Sequence, residues 1–237
     1  KKSKIRGELS QGMICAEDEI GIGDSHEGII VLNDKYKAGE QASKVYNYYE
    51  DHIFDIGLTP NRSDAMSHFG VARDLRAALM HKKKNLELIS PSVSSPQINS
   101  RTKKINIKLK QTNLSPRFTG LCIEDIKVDK SPDWIQNKLK SIGLSPINNV
   151  VDITNYVLHE LGQPLHAYDL DKIKSNKIEV KTLKKNTTFT TLDGIERKLN
   201  ESDLMVCDGD IPMCIAGVFG GNDHGINNLS LIHISEP

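Results

Sequence analysis

The chain has 237 residues, 38% hydrophobic and 26% charged, which is enough for one large domain or two small ones, each with a buried core. Lysine plus arginine (31) balances aspartate plus glutamate (31), so net charge gives no case for a nucleic-acid or membrane partner, and any basic surface must be local. No window approaches 18 consecutive apolar residues, which excludes a membrane-spanning helix.

The start of the chain and its cysteines bear on location. Residues 1–4 are not followed by an apolar stretch with a small-residue cleavage site, so we predict no secretory signal. The chain begins without Met and in mid-pattern, which predicts a fragment. No C-x-x-C pair occurs among the four cysteines, so zinc-ribbon and disulfide-framework folds are disfavoured and a reducing compartment, the cytoplasm, is predicted. They are Cys15, Cys122, Cys207 and Cys214.

The first 45 residues are rich in glycine, with short apolar runs between the glycines. Short runs separated by turn signals predict small strands of a barrel or sandwich. Because no complete strand set is present, we interpret this region as the end of a domain.

A strand, a turn and a helix are predicted next. Residues 53–56 favour a strand, residues 57–61 a turn, and residues 62–80 a helix, since apolar residues recur there at spacings of three and four. The Ser/Pro-rich stretch at 90–100 lacks the apolar content to pack and predicts a linker.

The second half predicts strands in blocks with helices between them. Alternation at Ile105, Ile107 and Leu109 predicts a half-buried strand, and residues 118–128 predict another. Ser131-Pro132 predicts a helix N-cap. The buried stripe of that helix would be Trp134, Ile135, Leu139 and Ile142. A second helix is predicted at about 152–161, followed by strands with a tight turn at Asp193-Gly194. This order indicates an α+β fold.

The densest polar cluster lies between residues 148 and 169. Spacing of three and four places Asp152, Asn155 and His159 on one helical face, and Pro164 ends that helix, which places His166 on the next loop. From residue chemistry alone, the more common interpretation is structural, with cap and turn residues and a satisfied core histidine. A catalytic interpretation stays open beside it.

The second candidate is the glycine-rich stretch at residues 216–221. Gly217 and Gly220 follow a predicted strand, where glycine permits positive φ and close backbone approach to a ligand. The stretch lacks the G-x-G-x-x-G pattern and the P-loop lysine, so nucleotide binding is weakly supported, and a tight bend at a sheet corner explains it equally well. The eight histidines show no metal-ligand spacing, so no bound metal is predicted.

These stretches resemble the beta subunit of bacterial phenylalanine–tRNA ligase. The similar motifs occur in the family's order and reach from the start of the chain to about Asn228. They are Ile5-Arg6-Gly7 with residues 10–15, Leu58-Thr59-Pro60-Asn61-Arg62-Ser63-Asp64, residues 146–156, residues 162–169, Thr191-Leu192-Asp193-Gly194, and Ala216-Gly217-Val218-Phe219-Gly220-Gly221.

The resemblance implies a domain layout within the α+β class. It consists of the end of an OB-fold tRNA-binding domain (1–45), a small α/β strand–helix domain (46–90), a linker (91–100), a truncated mixed α+β editing domain (101–228), and a tail (229–237) that resembles translated read-through of a sequencing adapter. The family expects an acidic residue on a strand after Gly220-Gly221. Glu236 falls at about that offset, but Pro237 departs from the family's continuation, so we interpret the match as coincidence.

The resemblance also implies a function. The family's editing domain hydrolyses tyrosine wrongly attached to phenylalanine tRNA, and the subunit pairs with a catalytic alpha subunit as an α2β2 heterotetramer that uses ATP and Mg²⁺. Since aminoacylation takes place on the alpha subunit, this fragment would hold no cofactor and would not charge tRNA. A non-catalytic tRNA-binding or assembly module is the alternative, and a free-standing amino-acid-binding domain is a third possibility.

Five residues match the family's editing pocket. His166 would position or deprotonate the attacking water, as a neutral imidazole can near pH 7. Thr154 and Asn155 would orient the ester or the tRNA terminus. Gly217 and Gly220 would let the backbone line the amino-acid pocket.

Overall fold

A computed structural model describes residues 2–23, 25–46, 49–82, 86–91, 104–226 and, by their backbone, 233–236. The chain divides into two compact units, Lys1–His52 and Ile53–Pro237. Helices and a five-stranded sheet make the architecture mixed α+β, which confirms the predicted class. Across these described ranges, every helix is too short or too polar to span a membrane. The predicted linker, apart from Pro91, and most of the predicted tail lie outside the described residues.

The first unit contains an antiparallel hairpin of β1 (Ser3–Ile5) and β2 (Glu8–Ser10) and a short helix, α1 (Ala42–Val45). The two turn residues between the strands, Arg6 and Gly7, both have positive φ, 52° and 90°. Such two-residue turns match the twist of paired strands. The glycine after Arg6 therefore explains why the hairpin forms at this point.

The second unit begins with a segment whose predicted strand is wrong. Residues 53–56 are not in a strand, and Ile53 and Phe54 are 68% and 79% exposed. An apolar segment forms a strand only where a neighbouring strand offers it hydrogen bonds, and none of the described residues pairs with this segment. The helix that follows, α2 (His68–Met80), begins later than predicted because Ser67 caps it, accepting at Oγ from the N–H of Gly70 at 2.9 Å.

Two helices pack together in the middle of this unit, α3 (Asp133–Ser141) and α4 (Asn149–Leu161). Ile135 and Leu139 are buried as predicted, but Trp134 and Ile142 are 56% and 47% exposed, so half of the predicted stripe is wrong. The buried pair is spaced i, i+4 and forms a narrow stripe on α3. Trp134 lies at its side, edge-on to Tyr156 of α4 with ring centroids 5.4 Å apart.

The ends of α4 are set by local chemistry. At its start, Asn148 Oδ1 accepts from the N–H groups of Val150 and Val151 at 3.1 and 3.0 Å. At its end, Gly162 adopts the left-handed conformation with φ +78°. A side chain at Gly162 would also contact Ser67 Cβ at 3.3 Å, so this helix end lies against the N-cap of α2.

The remaining strands form two sheets and a hairpin. They are β3 (Asn106–Leu109), β4 (Leu121–Ile123), β5 (His166–Asp169), β6 (Lys177–Thr182), β7 (Thr188–Thr190), β8 (Glu196–Lys198), β9 (Leu204–Asp208), β10 (Ile211–Ile215), β11 (Phe219–Gly220) and β12 (His233–Glu236). The five-stranded sheet has the order β11-β10-β9-β6-β3, parallel only between β3 and β6. The second sheet has the order β4-β12-β5, and β7 pairs with β8.

The core lies on both faces of the five-stranded sheet. One face packs against β5, and its buried residues are Tyr168, Ile173, Ile178, Val206, Met213 and Cys214. The other face is covered by the β7–β8 hairpin, with Phe189, Leu199, Met205 and Cys207 buried there. Each fully buried aliphatic or aromatic side chain contributes about 1.5–3 kcal/mol of transfer free energy. The sheet therefore provides a rigid frame for the residues at its edges.

Candidate functional site

His166 is the first residue of β5 and lies five residues beyond the end of α4. The prediction placed it on a loop. The structure places it in the strand because β12 pairs with β5 as far as His166 itself. Its imidazole is partly buried and lies edge-on to the ring of Tyr168, with centroids 4.5 Å apart. The imidazole is therefore fixed on one side by the core.

Gly220 of β11 lies against the imidazole. A Cβ at this position would stand 2.6 Å from His166 Cε1 and 2.9 Å from Leu192 Cδ1, closer than atoms in proteins approach. Only glycine fits here without displacing the imidazole or Leu192. Two of the predicted pocket residues, His166 and Gly220, are thus in direct contact.

The turn at residues 191–194 supports this edge of the sheet. The N–H of Leu192 donates to the carbonyl of Gly220 at 3.0 Å. Asp193 fixes the turn by accepting from Thr191 Oγ1 at 2.5 Å and from Arg197 Nη2 at 2.8 Å, and the Thr191 hydrogen bond is the main reason that the Asp193 pKa is lowered. The backbone next to Gly220 is therefore held in place.

Burial keeps the imidazole neutral. Loss of solvation lowers the pKa of His166 from 6.5 to about 4. At pH 7 the ring therefore carries one N–H donor and one nitrogen that accepts a hydrogen bond or a proton. Such a group can hold and orient a water molecule.

Thr154 and Asn155 are half-buried on α4. Thr154 Oγ1 donates to the carbonyl of Val151 at 2.7 Å, so its proton is used within the helix while its lone pairs stay available. Among the described residues, no hydrogen bond joins Thr154 or Asn155 to His166.

Asp152 and Ser131 have structural roles. Asp152 is fully buried and accepts from Ser131 Oγ at 2.5 Å and from the N–H of Ile147 at 2.8 Å. Ser131 therefore does not cap α3 as predicted, because its hydroxyl is used to link the start of α3 to α4. His159, predicted to share a face with Asp152, is exposed.

Gly217 lies in the turn between β10 and β11, where φ is +70° and a side chain would find no atom within 4 Å of its Cβ. It is exposed, whereas Gly220 is buried. The two predicted glycines thus differ, since Gly217 meets a backbone requirement of the turn and Gly220 meets a requirement for space.

β12 lies between β4 and β5 and is paired with β5, the strand that carries His166. In the antiparallel register Glu236 pairs with His166 and Ser235 pairs with Ala167. The residue at position 236 therefore lies directly opposite His166 on the neighbouring strand.

Sequence reasoning from the residues missed Leu192 and Tyr168, which contact Gly220 and His166 respectively. Tyr168 would have followed from a strand prediction at residues 166–169, because residues two apart in a strand lie on the same face. Leu192 carried no usable signal, since it comes from a distant hairpin. Over the described ranges, no three His, Cys, Asp or Glu side chains are grouped to hold a metal ion.

Comparison with known proteins identifies the family. Residues 114–230 match the B3/4 domain family. The phenylalanine–tRNA ligase beta subunit of Bacteroides fragilis is 53% identical over 225 residues, which are 95% of this chain and 27% of that subunit. The same subunit of Porphyromonas gingivalis is 53% identical over 230 residues (95% and 28%), and that of Salinibacter ruber 45% identical over 223 residues (92% and 26%).

An N-terminal fragment of the phenylalanyl-tRNA synthetase beta subunit from Pyrococcus horikoshii is a weaker match in structure. Its TM-score is 0.45 at 16% identity, over 74% of this chain and 52% of that one. The chain spans about a quarter of the length of the curated relatives it matches. On the sequence identities, the chain belongs to the family of phenylalanine–tRNA ligase beta subunits.

Proposed function

We propose that this segment of an aminoacyl-tRNA ligase subunit carries a proofreading site that hydrolyses tyrosine wrongly esterified to phenylalanine tRNA. The observation that carries the proposal is the neutral, partly buried imidazole of His166 held against Gly220. An uncharged ring with one accepting nitrogen at a sheet edge is suited to a water-dependent reaction.

The need for a second site follows from selectivity. A pocket that admits phenylalanine cannot strongly reject an isostere with one added hydroxyl. A hydrolytic site has the opposite preference, since buried groups that hydrogen-bond the tyrosine hydroxyl are left unpaired by phenylalanine, at about 1–3 kcal/mol per group.

His166 has the central role in the proposed reaction. Its accepting nitrogen holds a water whose oxygen attacks the ester carbonyl and forms the new carbon–oxygen bond. The carbon–oxygen bond to the ribose breaks, and the proton that the water gives up passes to the ribose oxygen. Because an imidazole with a pKa of about 4 is a weak base, orienting the water is favoured over full deprotonation in the substrate-free protein.

The other candidate residues would bind the substrate. Thr154 has free lone pairs and, with Asn155, would orient the ester or the terminal ribose. Gly220 would keep the imidazole accessible by leaving space, and Gly217 would shape the turn that lines the amino-acid pocket.

The properties of the whole subunit are proposals taken from the family resemblance. They are a catalytic alpha subunit in an α2β2 assembly, phenylalanine tRNA as partner, ATP and Mg²⁺ used by the holoenzyme and not by this segment, and a cytoplasmic location. The domain layout, from the OB-fold end at 1–45 to the editing domain at 101–228 and the non-native tail at 229–237, is proposed on the same basis.

A non-catalytic tRNA-binding or assembly module is the second candidate. One observation favours it, since His166 fills space against Gly220 and Leu192 as a core side chain would. In that case the imidazole only braces the edge of the sheet.

Single-turnover deacylation separates the two candidates. Tyrosyl- and phenylalanyl-tRNA(Phe) are incubated with the full chain and with the assembled ligase, as wild type, as His166→Ala and as His159→Ala. The last is a matched control, because His159 is exposed on α4. We expect selective hydrolysis of the tyrosyl ester, a loss of about 10²–10⁴-fold in His166→Ala and no change in the control. Rates in all three proteins that equal the rate without protein would support the non-catalytic module.

A further inference from the structure

A second cluster of charged side chains lies near the opposite edge of the five-stranded sheet, on β6 and the edge strand β3. Its centre is Glu179 of β6, which is only 4% exposed. Three ammonium groups surround its carboxylate, with Lys177 Nζ at 2.8 Å from Oε1 and Lys110 Nζ and Lys181 Nζ each at 3.0 Å from Oε2. One buried carboxylate thus holds three cations in place.

The cluster carries more positive than negative charge. Lys181 also contacts Asp210 Oδ1 at 2.6 Å, but two carboxylates do not balance three lysines. A fourth lysine, Lys108, pairs with Glu179 in the parallel register of β3 and β6, and residues paired in this way share a face. Lys108 is exposed and forms no ion pair with another described residue. We call Lys108, Lys110, Lys177 and Lys181 the lysine face.

The ammonium groups of the lysine face are already ordered. Lys110 Nζ and Lys181 Nζ lie no more than 6.0 Å apart, because each is 3.0 Å from the same oxygen. Lys110 and Lys177 stay accessible, with side chains 52% and 32% exposed. Side chains fixed before binding lose less conformational entropy when an anion arrives.

The lysine face lies away from His166. In the order β11-β10-β9-β6-β3, the His166 contact is at β11, whereas the lysine face is at β6 and β3, about 14 and 19 Å away at the usual spacing of strands. His166 and the lysine face also lie on opposite faces of the sheet. Gly220 pairs with Cys214, which is buried on the face that packs against β5. Glu179 pairs with Cys207, which is buried on the face covered by the β7–β8 hairpin. A ligand on the lysine face therefore does not compete with the ester.

We propose that the lysine face is a phosphate-contact surface for RNA that holds the helical part of the substrate while its end reaches His166. This rests on the proposed function, which supplies the polyanion. Lysines on an edge strand also discourage aggregation, but that purpose requires neither a shared buried carboxylate nor a surplus of charge. Phosphate binding makes use of both features. The shared carboxylate holds the ammonium groups in place, and the surplus positive charge attracts phosphate.

The test measures binding of a fluorescently labelled RNA minihelix with a single-stranded end to the full chain, between 50 and 200 mM NaCl. Lys108→Ala/Lys110→Ala leaves Glu179 paired with Lys177 and Lys181. We expect about tenfold weaker binding at 100 mM salt, and a slope of log K against log salt smaller by about 1.4–1.8. Asp210→Asn, whose side chain is 99% exposed, removes a competing charge and should tighten binding about two- to fivefold.

Lys130→Ala/Lys140→Ala is the matched control, because it removes two exposed charges beside α3. An equal loss in this control, an unchanged slope in Lys108→Ala/Lys110→Ala, or no RNA binding by the wild type would overturn the proposal. Equal competition by poly-L-glutamate would assign the surface to an acidic protein instead. Each of these results leaves the deacylation test of His166 intact, and failed deacylation with a normal salt response leaves the lysine face intact.

Discussion

The two sides of the five-stranded sheet, at β11 and near β3, each hold a buried titratable side chain, but one is neutral and the other is charged. At the β11 edge His166 has apolar and glycine neighbours, and burial lowers its pKa so that it is neutral. Near the β3 edge three lysines, Lys177 first among them, lower the pKa of Glu179 on β6 well below its usual range, so that it stays charged. Burial disfavours charge, and at Glu179 hydrogen bonds from the lysine ammonium groups outweigh that effect. One edge thus holds a neutral imidazole that can orient water, and the other holds a charged carboxylate with its lysines.

The largest expected effect comes from removing the negative charge of Glu179 on β6, next to the β3 edge. Glu179→Ala leaves Lys181, which is 9% exposed, with Asp210 alone. We expect a loss of about 3 kcal/mol in the free energy of unfolding, at the low end of the range for broken buried pairs because Lys110 is half exposed. Urea denaturation measures it. A loss below about 0.5 kcal/mol would show that the lysines do not depend on the carboxylate.

The pH dependence of stability separates the two edges. Because the pKa of His166 is about 4 in the folded chain and 6.5 for an imidazole exposed to water, the unfolded chain binds more protons between these limits, and stability falls as pH drops from 6.5 to 4. We expect this to cost about 2 kcal/mol. The contribution of Glu179, whose pKa is lowered, is lost only below the ordinary glutamate value of 4.5.

Urea midpoints measured from pH 7 to pH 3.5 test this order. His166→Phe should reduce the slope between pH 6.5 and 4.5, leaving the smaller contribution of His224, whose pKa burial also lowers, and the fall at lower pH. If the curve for His166→Phe kept the full slope above pH 4.5, a group other than His166 would be responsible.

The smallest effect is the difference between two glycines. Gly220→Ala places a methyl group 2.6 Å from His166 Cε1, whereas Gly217→Ala meets open space but needs a positive φ of 70°. We expect Gly220→Ala to cost at least about 1 kcal/mol more than Gly217→Ala, because overpacking adds to the backbone term. Thermal melts of the two variants provide the comparison. Equal costs would mean that the imidazole moves aside freely.

Local chemistry could be predicted from the sequence. The strand at Lys177–Thr182 and helices α3 and α4 follow their apolar periodicity and turn residues. The contact between His166 and Gly220 joins residues 54 positions apart in the sequence and depends on how β5 packs on the sheet. Only the family resemblance placed these two residues in one pocket.

The wrong predictions have one cause in common. The strand at 53–56 and the burial of Trp134 were inferred from local pattern, but strand formation and helix orientation depend on partners distant in sequence. The lysine face was missed for the same reason. Lys108 and Lys110 lie about 70 residues before Lys177 and Lys181, and only the parallel pairing of β3 with β6 brings them together.

The most direct test of the central claim is the pH profile of tyrosyl-tRNA(Phe) hydrolysis under single-turnover conditions from pH 4 to pH 8, for wild type and His166→Ala, after subtraction of the uncatalysed rate. A neutral His166 that orients water predicts an enzyme-dependent rate that is level from pH 8 to about pH 5.5, falls toward the pKa of about 4, and is absent in His166→Ala. A rate that survives in His166→Ala, or that halves near pH 6.5, would contradict it.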